Sequence, residues 1–371
     1  MIHGDSDFQI ARLASSDVVG KTDHLKHFEN LILANENWYP AISDWYRRKV
    51  LPGIRNEERV AFVGYLAETP TISAVVRKGP DAKFCHLKIS HDLQDAHFGE
   101  LFFTIMALEI RDLAKTIHFT LPETLWRSKE AFFKSFGFSS AEMAETQYRL
   151  FDRELRCYAD FATVWRSILK KLPKLSRIYG CNSLTPDTDL VMSVTPKNAE
   201  EIVNRKKTVE IRRRFSTHWI GHKINLYATS PMMSLVGEAR IARIVLQDPD
   251  SIWERYRDQI ACDRYEFYSY THNCEAIYAI ELEDIERYRS AFSLKEMSQM
   301  AHCDLVPPQS YCTLERNRPW AKAVSIATYL ASCARNQITF GAKFIGAFSR
   351  SSRDPEDTKT SNTQQVEFQF H

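Results

Sequence analysis

Apolar and polar positions change their period several times along the chain, and each change marks an element. Between residues 25 and 51 apolar and aromatic side chains recur at helical spacing (Phe28, Leu31, Ile32, Trp38, Tyr39, Ile42, Trp45, Tyr46). This predicts two helices interrupted near residues 35–40. Ahead of them, residues 1–25 are polar and mixed, and an irregular lead-in is expected. The pattern then shortens to alternating or β-branched runs at 59–68, 71–77 and 82–90, with Pro70 at the first turn. A helix with one apolar face (Leu101, Phe102, Ile105, Leu108) is predicted over 98–115. A strand over 116–121, a helix over 126–136 stopped by Gly137 and a strand over 147–155 complete the series.

Residues 158–179 read differently. Phe161, Val164, Trp165, Ile168, Leu169, Leu172 and Leu175 fall on one helical stripe, with a Lys- and Arg-rich face opposite. Turn formers over 180–189 then suggest a linker. From residue 190 short strands dominate: 190–194, 208–213, 223–229, 236–245 and 276–283, with a short helix over 198–205. Many strands and few helices predict a small mixed or closed β barrel. A helix is expected over 318–335, and residues 349–371, polar and aperiodic, as a disordered tail. The expected organisation is therefore 25–157, a connecting helix and linker at 158–189, a second domain at 190–315, a helical extension at 316–348 and the tail.

A length of 371 residues fits two domains, and a net charge of +2 gives no overall electrostatic instruction. The charge is uneven, however: residues 166–245 hold 15 Lys and Arg against six Asp and Glu. That excess favours a phosphate-bearing partner, or is simply a solvated face. The eight cysteines form no CxxC pair, which argues against a zinc ribbon or disulfide scaffold and for reduced thiols in a cytoplasmic protein. No apolar run of membrane-spanning length occurs, and no metal is expected.

The first half carries a chemical motif. A strand ending Leu87-Lys88-Ile89 leads to Gln94-Asp95-Ala96-His97-Phe98-Gly99, with Glu100 next, at the start of a helix. Consecutive backbone N–H groups at a helix N-terminus bind a pyrophosphate, and small residues let it come close. With the later helix ending in Gly137-Phe138, residues 25–157 resemble the GNAT acetyltransferases. The resemblance implies acetyl-CoA as co-substrate, held by Leu87, Ile89, Gln94, His97, Phe98, Gly99 and Glu100. His97 departs from the family's first loop glycine, Phe133 from its tyrosine acid, and Trp126 from a frequent asparagine. His86 on the feeding strand has the chemistry of a general base near neutral pH, or is a packed strand histidine. Cys85 should face away from it.

The second half resembles the ASCH domain of the PUA-like superfamily. The resemblance rests on Thr195-Pro196, Ala199 and Ile202, on Lys207-Thr208-Val209-Glu210-Ile211-Arg212, and on Tyr227-Ala228-Thr229 and Val236-Gly237-Glu238. It implies RNA or nucleotide binding through Lys207, Glu210, Arg212, Arg213 and Tyr227. Alternation puts Glu210 and Arg212 on one strand face, with Lys207 reaching the same cleft from the strand's start, or leaves them as a surface ladder. Some small ASCH proteins deacetylate N4-acetylcytidine; here Lys207 is kept and Glu210 replaces their threonine. The aromatic run 265–270, with Trp253 and Tyr256, offers stacking surfaces or packing. His218 and His222, and His272 with Cys274, lack a predicted geometry for metal.

The implied fold class is α+β, a GNAT-like mixed sheet with flanking helices followed by a PUA-like ASCH β-barrel domain. The implied function is an acetyl-CoA-dependent N-acetyltransferase acting on RNA or an RNA-associated amine. The alternatives are a non-catalytic RNA-binding protein with a degenerate first domain, or an amidohydrolase of the N4-acetylcytidine type. Oligomeric state stays open.

Overall fold

The computed structural model describes residues 8–93, 97–149, 151–178, 188–333 and 337–340. The chain separates into two compact units: residues up to 178 together with the strand at 337–340, and residues 188–331. The expected tail at 349–371 and most of the linker at 180–189 lie outside the described residues.

In chain order the first unit holds β1 (Phe8–Leu13), α1 (Ser15–Gly20), α2 (Asp23–Leu33), α3 (Ile42–Trp45) and α4 (Leu51–Arg55). Next come β2 (Arg59–Leu66), β3 (Thr69–Arg77), β4 (Asp81–Ile89), α5 (Phe98–Ile110), β5 (Thr116–Pro122) and α6 (Glu123–Ser135). β6 (Ala141–Met143), β7 (Glu154–Asp160) and α7 (Phe161–Ile178) follow. The second unit contains β8 (Leu190–Val194), α8 (Pro196–Val203), β9 (Val209–Arg212), β10 (Lys223–Ala228), β11 (Ser234–Gln247), α9 (Pro249–Ile260) and α10 (Arg264–Thr271). It continues with β12 (Ile277–Ser293), α11 (Leu294–Ala301), β13 (Tyr311–Thr313) and α12 (Arg318–Cys333), after which β14 (Gln337–Phe340) returns to the first sheet.

That sheet runs β14-β1-β2-β3-β4-β5-β7-β6. The expected irregular lead-in is therefore wrong: Phe8–Leu13 is an interior strand, antiparallel to both β2 and β14. Its polar neighbours in sequence hid a run whose Phe8, Ile10, Ala11 and Leu13 are all buried. The expected helical extension also ends early, because Gln337–Phe340 pairs with β1 rather than continuing α12. The helices α1–α4 cover one sheet face through Leu25, Phe28, Ile32 and Tyr46, packed on Val63, Tyr65 and Val75. By strand alternation α5 lies on the other face, where Phe98 meets Phe8 with ring centroids 4.4 Å apart. The stripe on α7, expected to lie on a connector, packs into this unit against α5 and β7.

One pair of strands in this sheet separates along its length. β4 and β5 pair in parallel only from Asp81↔Thr116 to Lys83↔His118. Beyond that point β4 follows β3 to Ile89, while β5 follows β7 to Pro122, so the two strands diverge. The wedge holds an aromatic cluster centred on Phe103. Its ring lies 5.0 Å from Phe84, 6.1 Å from Phe119, 5.3 Å from Phe132 and 4.8 Å from Phe136. This order of elements, with one splayed parallel pair at the centre, is the GNAT-like arrangement.

The second sheet runs β13-β8-β10-β11-β12-β9 and curls into a barrel that stays open, since its edge strands β13 and β9 do not pair. β11 and β12 are long and bend together through three register breaks. Two helices that the sequence pattern does not announce, α9 and α10, are inserted between them. Each starts at an aspartate whose carboxylate accepts a backbone N–H one turn on, Asp248 from Ser251 and Asp263 from Glu266. Tyr256, Ile260 and Phe267 turn inward from them onto Val209, Ile211 and Ile277. No described helix is long and apolar enough to cross a membrane.

The bend of β11 explains its glycine. A Cβ built on Gly237 would run into the carbonyl oxygen of Glu286 on β12 and lie 3.1 Å from Val203 Cγ1. Gly237→Ala is expected to destabilise the second unit by about 1–3 kcal/mol, read from urea unfolding. A variant as stable as the parent would show that the strands separate there freely.

Candidate functional site

Where the second sheet fails to close, side chains span the gap. Arg212, at the end of edge strand β9, donates through Nη2 to the Ser193 carbonyl on β8 at 2.6 Å. Its Nη1 lies 3.5 Å from Ser310 Oγ, just ahead of the opposite edge strand β13. Glu210, two residues earlier on the same face, sets its Oε1 3.0 Å from Arg212 Nε. Lys207 stands before the strand, so alternation does not bind it; its Nζ donates to the Ile260 carbonyl at 2.6 Å and lies 3.5 Å from Glu210 Oε2. Lys207 and Glu210 are buried, as strand-surface charges would not be.

These three side chains form one wall of a cavity of about 370 Å³, with Ser193, Thr195 and Asn198 on the β8–α8 side and Phe267 and Tyr270 of α10 opposite. Of the two arrangements that the sequence left open, a shared cleft or a surface ladder, the structure has Lys207, Glu210 and Arg212 adjacent and facing one cavity. Two cations against one carboxylate leave an excess of one positive charge on this wall, and the Glu266 carboxylate on the far side is paired with Lys197. Glu210 Oε2 accepts no hydrogen bond from the described residues. Its neighbour is the Lys207 ammonium, 3.5 Å away, so the carboxylate is held by charge rather than by a full set of hydrogen bonds.

Two other expected contacts fall elsewhere. Tyr227 is fully buried on β10, its ring 5.5 Å from that of Trp320, so it packs the barrel and cannot meet a nucleic acid. The sequence could not separate the two, because an inward-facing tyrosine on a barrel strand looks like an outward-facing one. Arg213 points away from Arg212, as alternation requires, and does not line the cavity. It reaches the lip instead, where its Nε donates to the Tyr270 carbonyl at 2.7 Å. The aromatic run resolves into different roles. Tyr256 and Phe267 are buried, Tyr268 donates to Asp250 Oδ1 at 2.6 Å, and Tyr265 and Tyr270 stay exposed. Residues that sequence reasoning missed include Asn198 of α8 and Glu266 of α10, the latter because the cavity's far wall is built from an insertion.

In the first unit His86 is a correction. A β-bulge at Cys85, with Val75 opposite His86 and Val76 opposite Phe84, breaks the alternation. Cys85 therefore joins the core under α1–α4, and His86 lies on that side too, its ring 6.3 Å from that of Trp45. His86 is fully buried, with Nε2 2.9 Å from Ser73 Oγ. Burial, helped by the charge of Lys88, pushes it down to about 3. A neutral, enclosed imidazole is not placed to take a proton from a substrate.

The described residues of the expected acetyl-CoA set lie on β4 and at the start of α5. Leu87 and Ile89 lie on the part of β4 that has left β5, with side chains turned toward α5. Phe98 and Gly99 open α5, and a Cβ on Gly99 would stand 3.2 Å from the Phe132 ring and 3.9 Å from Ile89 Cδ1. His97 precedes the helix in a left-handed conformation (φ 62°), the conformation a glycine would adopt freely, and its Nδ1 lies 3.1 Å from Glu100 Oε1. Gln94 lies outside the described residues. Phe133, at the place of the family's acid, is buried and stacked on Trp126 at 5.6 Å. Among the described residues no group of three or more His, Cys, Asp and Glu side chains could hold a metal.

Residues 188–303 match a family model described as a domain of unknown function, DUF365. An ASCH domain-containing ribonuclease of Zymomonas mobilis is 31% identical over 140 residues, which are 38% of this chain and 93% of that protein. The crystal structure of ASCH from the same organism is 32% identical, covers 38% of this chain and 95% of its own, and superposes with a TM-score of 0.34. An acetyltransferase structure from Thermus thermophilus is 16% identical, covering 41% of this chain and 96% of its own, with a TM-score of 0.28.

The buried histidine has a consequence for acid stability. The unfolded chain binds a proton at His86 near its ordinary value of 6.5, and the folded chain only near 3. Between these values the unfolded state holds more protons, so stability is complete above the upper value and falls as pH drops through the window. The loss attributable to this group is on the order of a few kcal/mol. His86→Gln should flatten the stability profile between the two values, measured by urea unfolding at successive pH. An unchanged slope would show that His86 is not the group responsible.

Proposed function

The chain belongs to the ASCH domain family through its second unit, and from that premise we propose that this unit binds unpaired RNA in the seam cavity and cleaves it. The observation that carries this reading is Glu210, buried between Lys207 and Arg212 in the wall of the cavity. The relative's ribonuclease activity supplies the substrate class. The excess cation would hold a backbone phosphate. Glu210 would take the proton of the adjacent 2′-hydroxyl, whose oxygen then attacks phosphorus as the bond to the 5′-oxygen breaks. Lys207 and Arg212 would stabilise the charge that develops on the phosphoryl oxygens, and Lys207 stands beside Glu210 to return a proton to the leaving oxygen. No metal is required by this route.

A second reading concerns the first unit. The divergence of β4 from β5, with Gly99 opening α5 beside it, supports acetyl-CoA as a ligand of this unit. The main-chain edge of β4 near Leu87 and Ile89 would hold the pantetheine arm, and the start of α5 the pyrophosphate. With His86 enclosed and Phe133 in place of an acid, acetyl transfer to RNA or to an RNA-associated amine would depend on an acceptor that loses its proton to water. Bound acetyl-CoA would supply the acyl group.

Glu210→Gln, in protein shown by circular dichroism to be folded, should slow cleavage of a labelled, unstructured RNA by about 100-fold or more while leaving its binding nearly intact. Arg212→Ala should weaken the binding itself and flatten its salt dependence. Gel-resolved cleavage and fluorescence anisotropy, with chelator present, read the two effects. A parent protein that neither binds nor cuts RNA would overturn the proposal. Calorimetric titration with acetyl-CoA tests the second reading: micromolar binding in the parent, lost in Gly99→Trp while RNA binding persists, is expected, and no binding by the folded parent would sink it.

A further inference from the structure

Just outside the seam cavity the lip is built around one exposed aromatic ring. Tyr270, near the end of α10, borders the cavity and is 42% exposed. The guanidinium of Arg213 lies over its ring, 4.7 Å from the centroid, and Arg213 Nε also bonds the Tyr270 carbonyl at 2.7 Å. The ring is thus held from behind by the residue next in sequence to the cavity's own Arg212. Strand alternation sends these neighbouring cations to two places, one inside the cavity and one at its lip. α10 is firmly seated: Phe267 is buried against Trp253, 5.0 Å away, and Glu266 pairs with Lys197 of α8 at 2.8 Å. An aromatic ring with a cation behind it, part of its surface open and its supporting helix anchored, is a stacking platform that needs little ordering on binding.

We propose that Tyr270, backed by Arg213, is a second nucleobase subsite: the base next to the nucleotide in the cavity stacks on it, so the ligand is unpaired RNA of at least two nucleotides. This rests on the RNA reading of the cavity. The occupant is RNA because the platform is continuous with a cavity carrying an excess cation, and Arg213 and Arg214 add exposed positive charge at the strand's end. Paired bases would hide the faces that the ring needs, so the strand is single. Tyr265, 85% exposed on the same helix, does not line the cavity and takes no part.

The test compares an unstructured labelled octaribonucleotide with a nucleoside monophosphate, by anisotropy and competition, on the full chain. The parent should bind the octamer more tightly. Tyr270→Ala should weaken octamer binding on the order of tenfold or more, while the monophosphate loses distinctly less. Tyr270→Phe should keep most of the octamer affinity, Arg213→Ala should fall between, and Tyr265→Ala should change neither ligand. Equal losses for both ligands in Tyr270→Ala would overturn the subsite and make Tyr270 a wall of the cavity only. So would an octamer affinity untouched by Tyr270→Ala, or one that falls as far in Tyr265→Ala. A parent that binds the octamer but not through Tyr270 sinks the subsite alone, whereas a parent that binds neither ligand sinks the RNA reading with it.

Discussion

The second unit depends on closing a sheet without strand hydrogen bonds. Its edge strands β9 and β13 remain unpaired with each other, and Arg212 bridges the opening to Ser193 and Ser310. An edge left open exposes polar backbone, and a long cation that donates to a carbonyl across the gap satisfies part of it. Burying that cation requires a counter-charge, which Glu210 provides, and Lys207 shares the same carboxylate. The elements that structural closure demands are therefore the elements of a charged cavity. Removing one of them would strand the others in a poorly solvated place, a loss larger than any single pair is worth.

The insertion between β11 and β12 turns that seam into a site. Without α9 and α10 the charged wall would face solvent, where ion pairs are weak and a ligand would have one side to bind. With Phe267 anchored in the core and Tyr270 at the lip, the insertion gives the cavity a far wall and an aromatic margin. Charge at the centre and an aromatic ring at the edge suit a chain of phosphates and bases better than a compact metabolite.

The first unit shows a different balance. Its backbone has the splay on which acetyl-CoA chemistry depends, yet the side chains around it are chiefly phenylalanines. Titratable groups of this unit are drawn into the structure. His86 is neutral beside Ser73, Glu109 is paired with Arg12 at 2.8 Å, and Glu154 is buried with Arg149, where desolvation raises its carboxyl. Binding and proton transfer are separable demands, and under the proposed reading this sheet would meet the first through its main chain.

Sequence alone determined most of the order of elements in both units, because periodicity and capping residues act over a few positions and are written locally. It also placed Glu210 and Arg212 on one strand face with Lys207 close by in the chain, but did not decide between a shared cleft and a surface ladder. Tertiary structure alone decided the rest. That Phe8–Leu13 is an interior strand depends on β2 and on a strand more than 320 residues away. That His86 is sealed follows from a one-residue bulge at Cys85, which period-two reasoning does not register. That Tyr227 is enclosed while Tyr270 stands at a lip depends on which way each element turns its side chain once packed, and burial is a property of the neighbours, not of the residue.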